Sequence, residues 1–321
     1  MGMDAVERSC CHGGLHASLG ATTETVEQLI QKGDFVGALR ALEAELQAQP
    51  APEKYLLVFN LRTRLEDYDG ALAALEQVVR LMPDFAEGAG FLRDCAEAER
   101  LRTLRGKDAA LAGARKMLGG MPPPASMRLA QAAVFHAQGR YAEAARTLTE
   151  AKEAGPAVSG TLTRTNGAVV RFTDLTDSDE LTGRHLPCFE GRTLLDVPYS
   201  ELREVRFAPP RSFMESAWLP ALLVPRSGEP VPLRVFTFYA GTGRHESEQV
   251  RMGGMTFWEH GHGYAEGVGQ RDFKVTHEDG TTGLVGVLQV AQIVFDAPSA
   301  PQVKGEEEKP QRKGFWSRLF G

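Results

Sequence analysis

Two near-copies in the first third of the chain constrain its fold more than any other feature. Gly33-Asp34-Phe35-Val36-Gly37-Ala38-Leu39-Arg40-Ala41-Leu42-Glu43 is followed by Glu66-Asp67-Tyr68-Asp69-Gly70-Ala71-Leu72-Ala73-Ala74-Leu75-Glu76, at an offset of 33 positions. Pro50 and Pro83 close the two copies at the same offset. The period is close to the ~34 residues of tetratricopeptide-type helical hairpins. Such hairpins stack on one another and present a concave surface to a peptide or a helix. They seldom carry chemistry, so the repeats point to a binding module.

The apolar pattern supports helices on both sides of each copy. Val26, Leu29 and Ile30 share one face, and Gly33 breaks that helix. Phe35, Ala38, Leu39, Leu42 and Leu46 form the next stripe at i, i+3, i+4, i+7 spacing. Tyr55, Val58 and Phe59 begin the second pair, and Tyr68, Ala71, Leu72, Leu75 and Val79 complete it. Ala38 and Ala71 are small enough to let paired helices approach closely. The stretch from Phe85 to Met117 is helical but irregular as a repeat, and Gly119-Gly120-Met121-Pro122-Pro123-Pro124 is a firm stop. Gly139-Arg140-Tyr141-Ala142-Glu143-Ala144-Ala145 then echoes the first copy, with Pro156 in the place of Pro50. Three recognisable repeats and one degenerate one thus precede Gly155.

Beyond that point the period changes. Leu162 to Phe172 alternates around Asn166-Gly167, a strong hairpin signal that predicts a type I′ turn with φ > 0 at both central residues. Strand-like runs follow at Arg192–Val197, Glu204–Phe207, Trp218–Val224, Leu233–Tyr239, Met255–Trp258 and Gly283–Phe295. Short helices are expected at Ser178–Leu181 and Glu246–Arg251. The expected fold is α+β: an N-terminal tetratricopeptide-like α-helical superhelix followed by a β-rich α+β domain. The expected division is a disordered leader over 1–21, helices over 22–156, the β-rich domain over 157–296, and a linker with an amphipathic tail over 297–321.

Charge and cysteine content narrow the function classes. The net charge of −6 leaves no basic surplus to neutralise phosphates, which argues against nucleic acid as the main partner. No apolar run approaches the ~20 residues of a membrane span, and the N-terminus lacks the apolar centre of a secretory signal. The four cysteines, Cys10, Cys11, Cys95 and Cys188, form no disulfide framework and suit a reducing cytoplasm.

Candidate chemistry is sparse. His260-Gly261-His262, near Glu259 and Glu266, invites a metal-dependent hydrolase reading, but it lacks the usual zinc spacings. Cys10-Cys11-His12 with His16 has nothing around it to close a site. Gly267-Val268-Gly269-Gln270-Arg271 lacks the Lys-Ser/Thr and helix of a phosphate loop and reads as a bulge between strands. No nucleophile–base set can be assembled. The expectation is no enzyme, no catalytic residue, no metal and no cofactor. Two sets of binding candidates remain. Leu56, Asn60 and Arg64, at i, i+4, i+8, border the groove stripe of the second repeat. Phe315, Trp316, Leu319 and Phe320 share one face of the tail beside Arg312, Lys313 and Arg318, as in a docking peptide or a membrane-surface contact.

The β-rich half carries a resemblance. Phe189-Glu190-Gly191-Arg192, Val197-Pro198-Tyr199-Ser200-Glu201-Leu202, Pro209-Pro210 and Trp218-Leu219-Pro220-Ala221, with Ser159-Gly160-Thr161 before them and Gly267-x-Gly269-Gln270-Arg271 after, resemble the ImpE/TagJ (SciE-type) family of type VI secretion accessory proteins. The resemblance covers about Thr22 to Phe295. It departs from the family pattern at Thr193-Leu194-Leu195, where an aromatic run is usual, and at Phe257, where an acid is expected. It implies a helical part joined to a smaller α+β part. It also implies a non-enzymatic bacterial cytoplasmic protein that binds an N-terminal helix of the small contractile-sheath subunit. Sheath assembly, or recycling by the sheath-disassembling ATPase, would be modulated through that contact.

Overall fold

The computed structural model describes residues 24–114, 116–119, 121–212 and 215–297. The whole of the expected leader, including Cys10-Cys11-His12, and the aromatic tail lie outside them. Eight α-helices come first among the described residues, in four consecutive pairs. These are α1 (Val26–Lys32) with α2 (Phe35–Ala48), α3 (Pro52–Arg64) with α4 (Tyr68–Leu81), α5 (Ala86–Arg105) with the short α6 (Ala109–Gly113), and α7 (Pro124–Ala137) with α8 (Tyr141–Ala154).

The repeated residues explain themselves at the helix ends. Asp34 and Asp67 are the N-caps of α2 and α4, and each carboxylate accepts from a backbone N–H three residues on, Gly37 at 2.9 Å and Gly70 at 3.0 Å. Gly33 and Gly139 stand just before the second helix of their pairs with φ of +82° and +72°, the left-handed conformation that glycine adopts without penalty. The second repeat has Glu66 at the matching position, with φ +59°, the only described non-glycine residue in that region. Its side chain accepts from Gly241 N–H at 2.5 Å and pairs with Arg244 at 2.9 Å. The strained residue thus ties the helices to the following half. Ala38 and Ala71 are fully buried, as their close-approach role requires.

Thirteen described strands follow. An eight-stranded antiparallel sheet runs in the order β2 (Val169–Phe172), β1 (Gly160–Arg164), β13 (Val290–Phe295), β6 (Leu202–Phe207), β7 (Trp218–Pro225), β8 (Val231–Phe236), β4 (His185–Glu190), β5 (Thr193–Pro198). A three-stranded sheet, β12 (Thr282–Gly286), β11 (Asp272–Thr276), β3 (Asp174–Asp177), shares a core with it through Phe273, Val275, Val285 and Leu175 against Leu162, Val205 and Ile293. A two-stranded ribbon pairs β9 (Thr256–Glu259) with β10 (Glu266–Gly269). One further short helix, α9 (Glu248–Met252), lies before the ribbon.

Two local expectations are corrected. Ser178–Leu181 is a turn and not a helix, because Asp179 accepts from the N–H groups of Leu181 and Thr182 and closes the chain on itself. The β1–β2 turn is not type I′. Gly167 alone has positive φ, at +84°, and its N–H donates to Arg164, so the loop is a three-residue one with a glycine bulge. Asn166 spends its Oδ1 on Ala168 N–H at 3.0 Å instead of turning left-handed.

A second apolar core joins the two kinds of structure. Phe59, Leu61, Leu92, Cys95 and Ala98 from the helices are buried with Phe189, Ala217, Trp218, Phe236 and Phe238 from the β-rich half.

Candidate partner-binding site

The helical face that the sequence offers to a partner meets the β-rich half of the same chain. Trp218 lies against Phe59, with ring centroids 6.4 Å apart, and its indole N–H donates to Glu99 at 3.2 Å. Arg102 pairs with Glu99, donates to the Phe238 carbonyl at 2.6 Å, and sits over the Phe236 ring at 4.4 Å. Of the three stripe residues, Arg64 holds its guanidinium 3.9 Å from the Phe238 centroid, where burial pulls its pKa down to about 10. Leu56 and Asn60 are half-buried, with Leu56 against the shared core. The Arg64 end of the stripe is therefore occupied within the fold. Phe315, Trp316, Leu319 and Phe320 lie outside the described residues.

Two hollows of several hundred Å³ border this junction among the described residues. The first, of about 660 Å³, lies between α5, α6 and α7 on one side and the β-rich loops on the other, and its charged lining includes Arg102, Arg105, Asp179, Glu266 and Arg271. Arg271 organises its floor. It pairs with the fully buried Asp177, donates to the Phe236 carbonyl at 3.1 Å, and lies over the Tyr239 ring at 4.7 Å. Tyr239 OH donates to the other Asp177 oxygen at 2.8 Å. Burial opposes the Arg271 charge, but the facing Asp177 more than reverses this and raises its pKa. Arg271 thus bonds both a backbone carbonyl and a buried carboxylate. Gly267 and Gly269 permit it: a Cβ at the first would enter the Tyr239 ring, and the second has φ +111°.

Asp179 faces the same cavity. Burial, then the adjacent Asp177 carboxylate, pushes its pKa up to about 7. An acid raised from the ordinary ~3.9 supports the fold fully below about pH 4, and that support is lost as pH rises through about 7. Asp179→Asn, which cannot ionise, therefore gains relative to the parent as pH rises. The melting temperature of the variant minus that of the parent is expected to be larger at pH 8 than at pH 5. An equal difference at both values would show that Asp179 is not perturbed.

The histidines fall differently from their sequence order. His260 is exposed, whereas His262 meets His136 of α7 and Glu266 of β10. The His260/His262 pair is not the cluster; the partner comes from a helix 126 positions earlier. His136 had no local signal, being one histidine on an ordinary amphipathic helix.

The second hollow is the apolar one, about 770 Å³, between the first half of α5 and the outer face of the large sheet. Phe91, which is 44% exposed, forms one wall. Pro220, Leu222, Pro232 and Arg234 form the floor, paired across β7 and β8 as Pro220–Arg234 and Leu222–Pro232. These positions alternate with Leu219, Ala221, Leu223, Leu233 and Val235, which point into the sheet core, so the floor is the opposite face of the pleat. Arg234 lies 4.8 Å from the Phe91 centroid, and Asp94 and Glu190 add negative charge at the margin. Sequence reasoning missed this groove because its wall and floor lie more than a hundred positions apart.

The profile of the ImpE protein family matches residues 170–293, and a Pseudomonas aeruginosa protein described as type VI secretion system accessory component TagJ is 26% identical over 241 residues, 74% of this chain and 82% of that one. The resemblance of this chain to the ImpE/TagJ family is thus shown. The crystal structure of protein VPA1032 from Vibrio parahaemolyticus has the same fold, with a TM-score of 0.73 at 17% identity over 84% of this chain and 97% of that one. The ImpE match takes in every groove-floor residue and the Asp177–Arg271 pair. Among the described residues no helix is long and apolar enough to cross a membrane.

Proposed function

We propose that this chain is a non-enzymatic accessory protein of a type VI secretion system, working in the bacterial cytoplasm. In this reading it grips an N-terminal helix of the small contractile-sheath subunit and so modulates sheath assembly or recycling, touching the sheath-disassembling ATPase only indirectly. The observation that carries the reading is the TagJ-named relative, aligned over three-quarters of the chain. The apolar groove supports the mode of binding. Its Phe91, Pro220, Leu222 and Pro232 offer contacts to the apolar stripe of an amphipathic helix, and Asp94 and Glu190 suit basic residues at that helix's edge. Leu56 and Asn60 offer a second seat on the helical array.

The test is titration of the full chain with a synthetic peptide of the sheath-subunit N-terminal helix, followed by calorimetry. Binding at micromolar peptide is expected. Leu222→Asp, which places a charge on the groove floor without touching the sheet core, is expected to weaken binding roughly tenfold or more. Asn60→Ala is the comparison: a loss there with none at Leu222 moves the seat to the helical stripe. No binding by the folded parent at several hundred micromolar peptide overturns the proposal.

A further inference from the structure

One side-chain cluster is not used by this reading. His136 from α7, His262 from the turn after β9 and Glu266 at the start of β10 bring their donor atoms within 4.8 Å of one another. The Glu266 carboxylate lies between the two rings. Its Oε1 is 2.6 Å from His262 Nδ1 and its Oε2 is 3.6 Å from His136 Nε2. Both imidazoles are held in place by other groups. His136 Nδ1 is 2.7 Å from the Tyr264 hydroxyl, which leaves Nε2 facing the carboxylate. His262 stacks on Tyr141 with ring centroids 3.6 Å apart and planes 10° from parallel.

We propose that His136, His262 and Glu266 form a binding site for a divalent transition-metal ion of the zinc class, which clasps the last helical pair to the β-rich half.

Two neutral imidazoles and one carboxylate are a ligand set that zinc accepts, with a water in the fourth position. Ligand atoms about 2.0–2.1 Å from a tetrahedral ion stand about 3.3 Å apart. The His136–Glu266 separation is already near that value. The His262–Glu266 contact needs to open by well under 1 Å, a small rotation for side chains that are only half-buried. The Tyr264 hydroxyl supplies the outer partner that a ligating histidine ordinarily has, fixing its tautomer and ring plane. His136 and Glu266 also line the 660 Å³ cavity, so the water position opens towards it. The ligands come from both halves of the fold, so the ion cross-links α7 to β10.

The experiment uses the full chain, prepared without a histidine tag, dialysed against a chelator and titrated with Zn²⁺ by calorimetry. One equivalent is expected to bind at micromolar concentration or tighter. The ion binds the folded state only, so the melting temperature is expected to rise by about 5 °C at saturating zinc. His262→Ala and Glu266→Gln, with circular dichroism matching the parent, are each expected to weaken zinc binding at least tenfold and abolish the thermal shift. His260→Ala is expected to leave both unchanged. Failure of the parent to bind one equivalent at 100 µM Zn²⁺ overturns the proposal without recourse to any variant. Binding that survives both substitutions, or that disappears in Cys10→Ser/Cys11→Ser, places the ion elsewhere and overturns it equally.

Discussion

Trp218→Ala is expected to lower the melting temperature by roughly 10 °C, the largest effect of any single replacement at the junction. Trp218 is 2% exposed, packs on the fully buried Phe59, and donates its indole N–H to Glu99. Truncation of a buried tryptophan costs about 3–5 kcal/mol, part from lost transfer energy and part from the cavity left behind. Here it also removes a donor from Glu99, a buried carboxylate left with Arg102. Each kcal/mol shifts the midpoint of a domain of 150–250 residues by about 2–4 °C. Differential scanning calorimetry with Phe59→Ala and the double variant measures the coupling. The double variant is expected to lose clearly less than the two single losses combined, because the two side chains fill one space. A Trp218→Ala protein melting within 2 °C of the parent would mean that the helices and the sheet do not share a core.

Arg271→Met is expected to cost about 3–5 kcal/mol at pH 7, read as a fall in the urea midpoint. The substitution keeps much of the volume but leaves Asp177, whose side chain is fully buried, facing no cation. Tyr239 OH and Asp179 N–H still donate to the carboxylate, which is too little for an ion taken out of water. The sign of the pH dependence follows. Burial already holds the Asp177 carboxyl above the usual carboxylate range with Arg271 opposing it, and loss of that cation raises it further, so the folded variant prefers the protonated acid more strongly than the parent does. Its deficit relative to the parent is therefore expected to shrink as pH falls from 7 towards 5. Asp177→Asn in the Arg271→Met background is expected to recover a large part of the loss at pH 7. A deficit that is independent of pH and not relieved by the second substitution would assign the loss to packing alone.

The helical half was readable because its determinants are local. The Gly33-Asp34 and Glu66-Asp67 pairs sit where a left-handed residue and an N-cap must stand side by side, and the apolar stripes repeat at the period of the helix. The expected strand runs Trp218–Val224 and Glu204–Phe207 agree with the strands Trp218–Pro225 and Leu202–Phe207 to within two residues. What pairs with what was not readable. Nothing in the residues near Leu202 announces that β6 lies between β13 and β7, because register is set by partners far along the chain. The candidate sites were hidden for the same reason. The Phe91–Leu222 groove and the His136–His262 meeting exist only after the sheet has been laid across the helices. Arg64 ends α3, and what its guanidinium meets there is the Phe238 ring, which local pattern does not reveal.

The interleaved core has a consequence during synthesis. Glu99 and its partner Trp218 are 119 positions apart, and Arg102 and the Phe238 carbonyl 136. At ~5–20 residues per second the helices leave the ribosome roughly 6–24 s before the strand that covers them. During that interval Phe59, Leu92 and Cys95 stand open to water or to another chain. The nascent helical array is thus the vulnerable species, a natural client for a chaperone that holds apolar surface. A fragment ended before Trp218 would remain in that condition permanently.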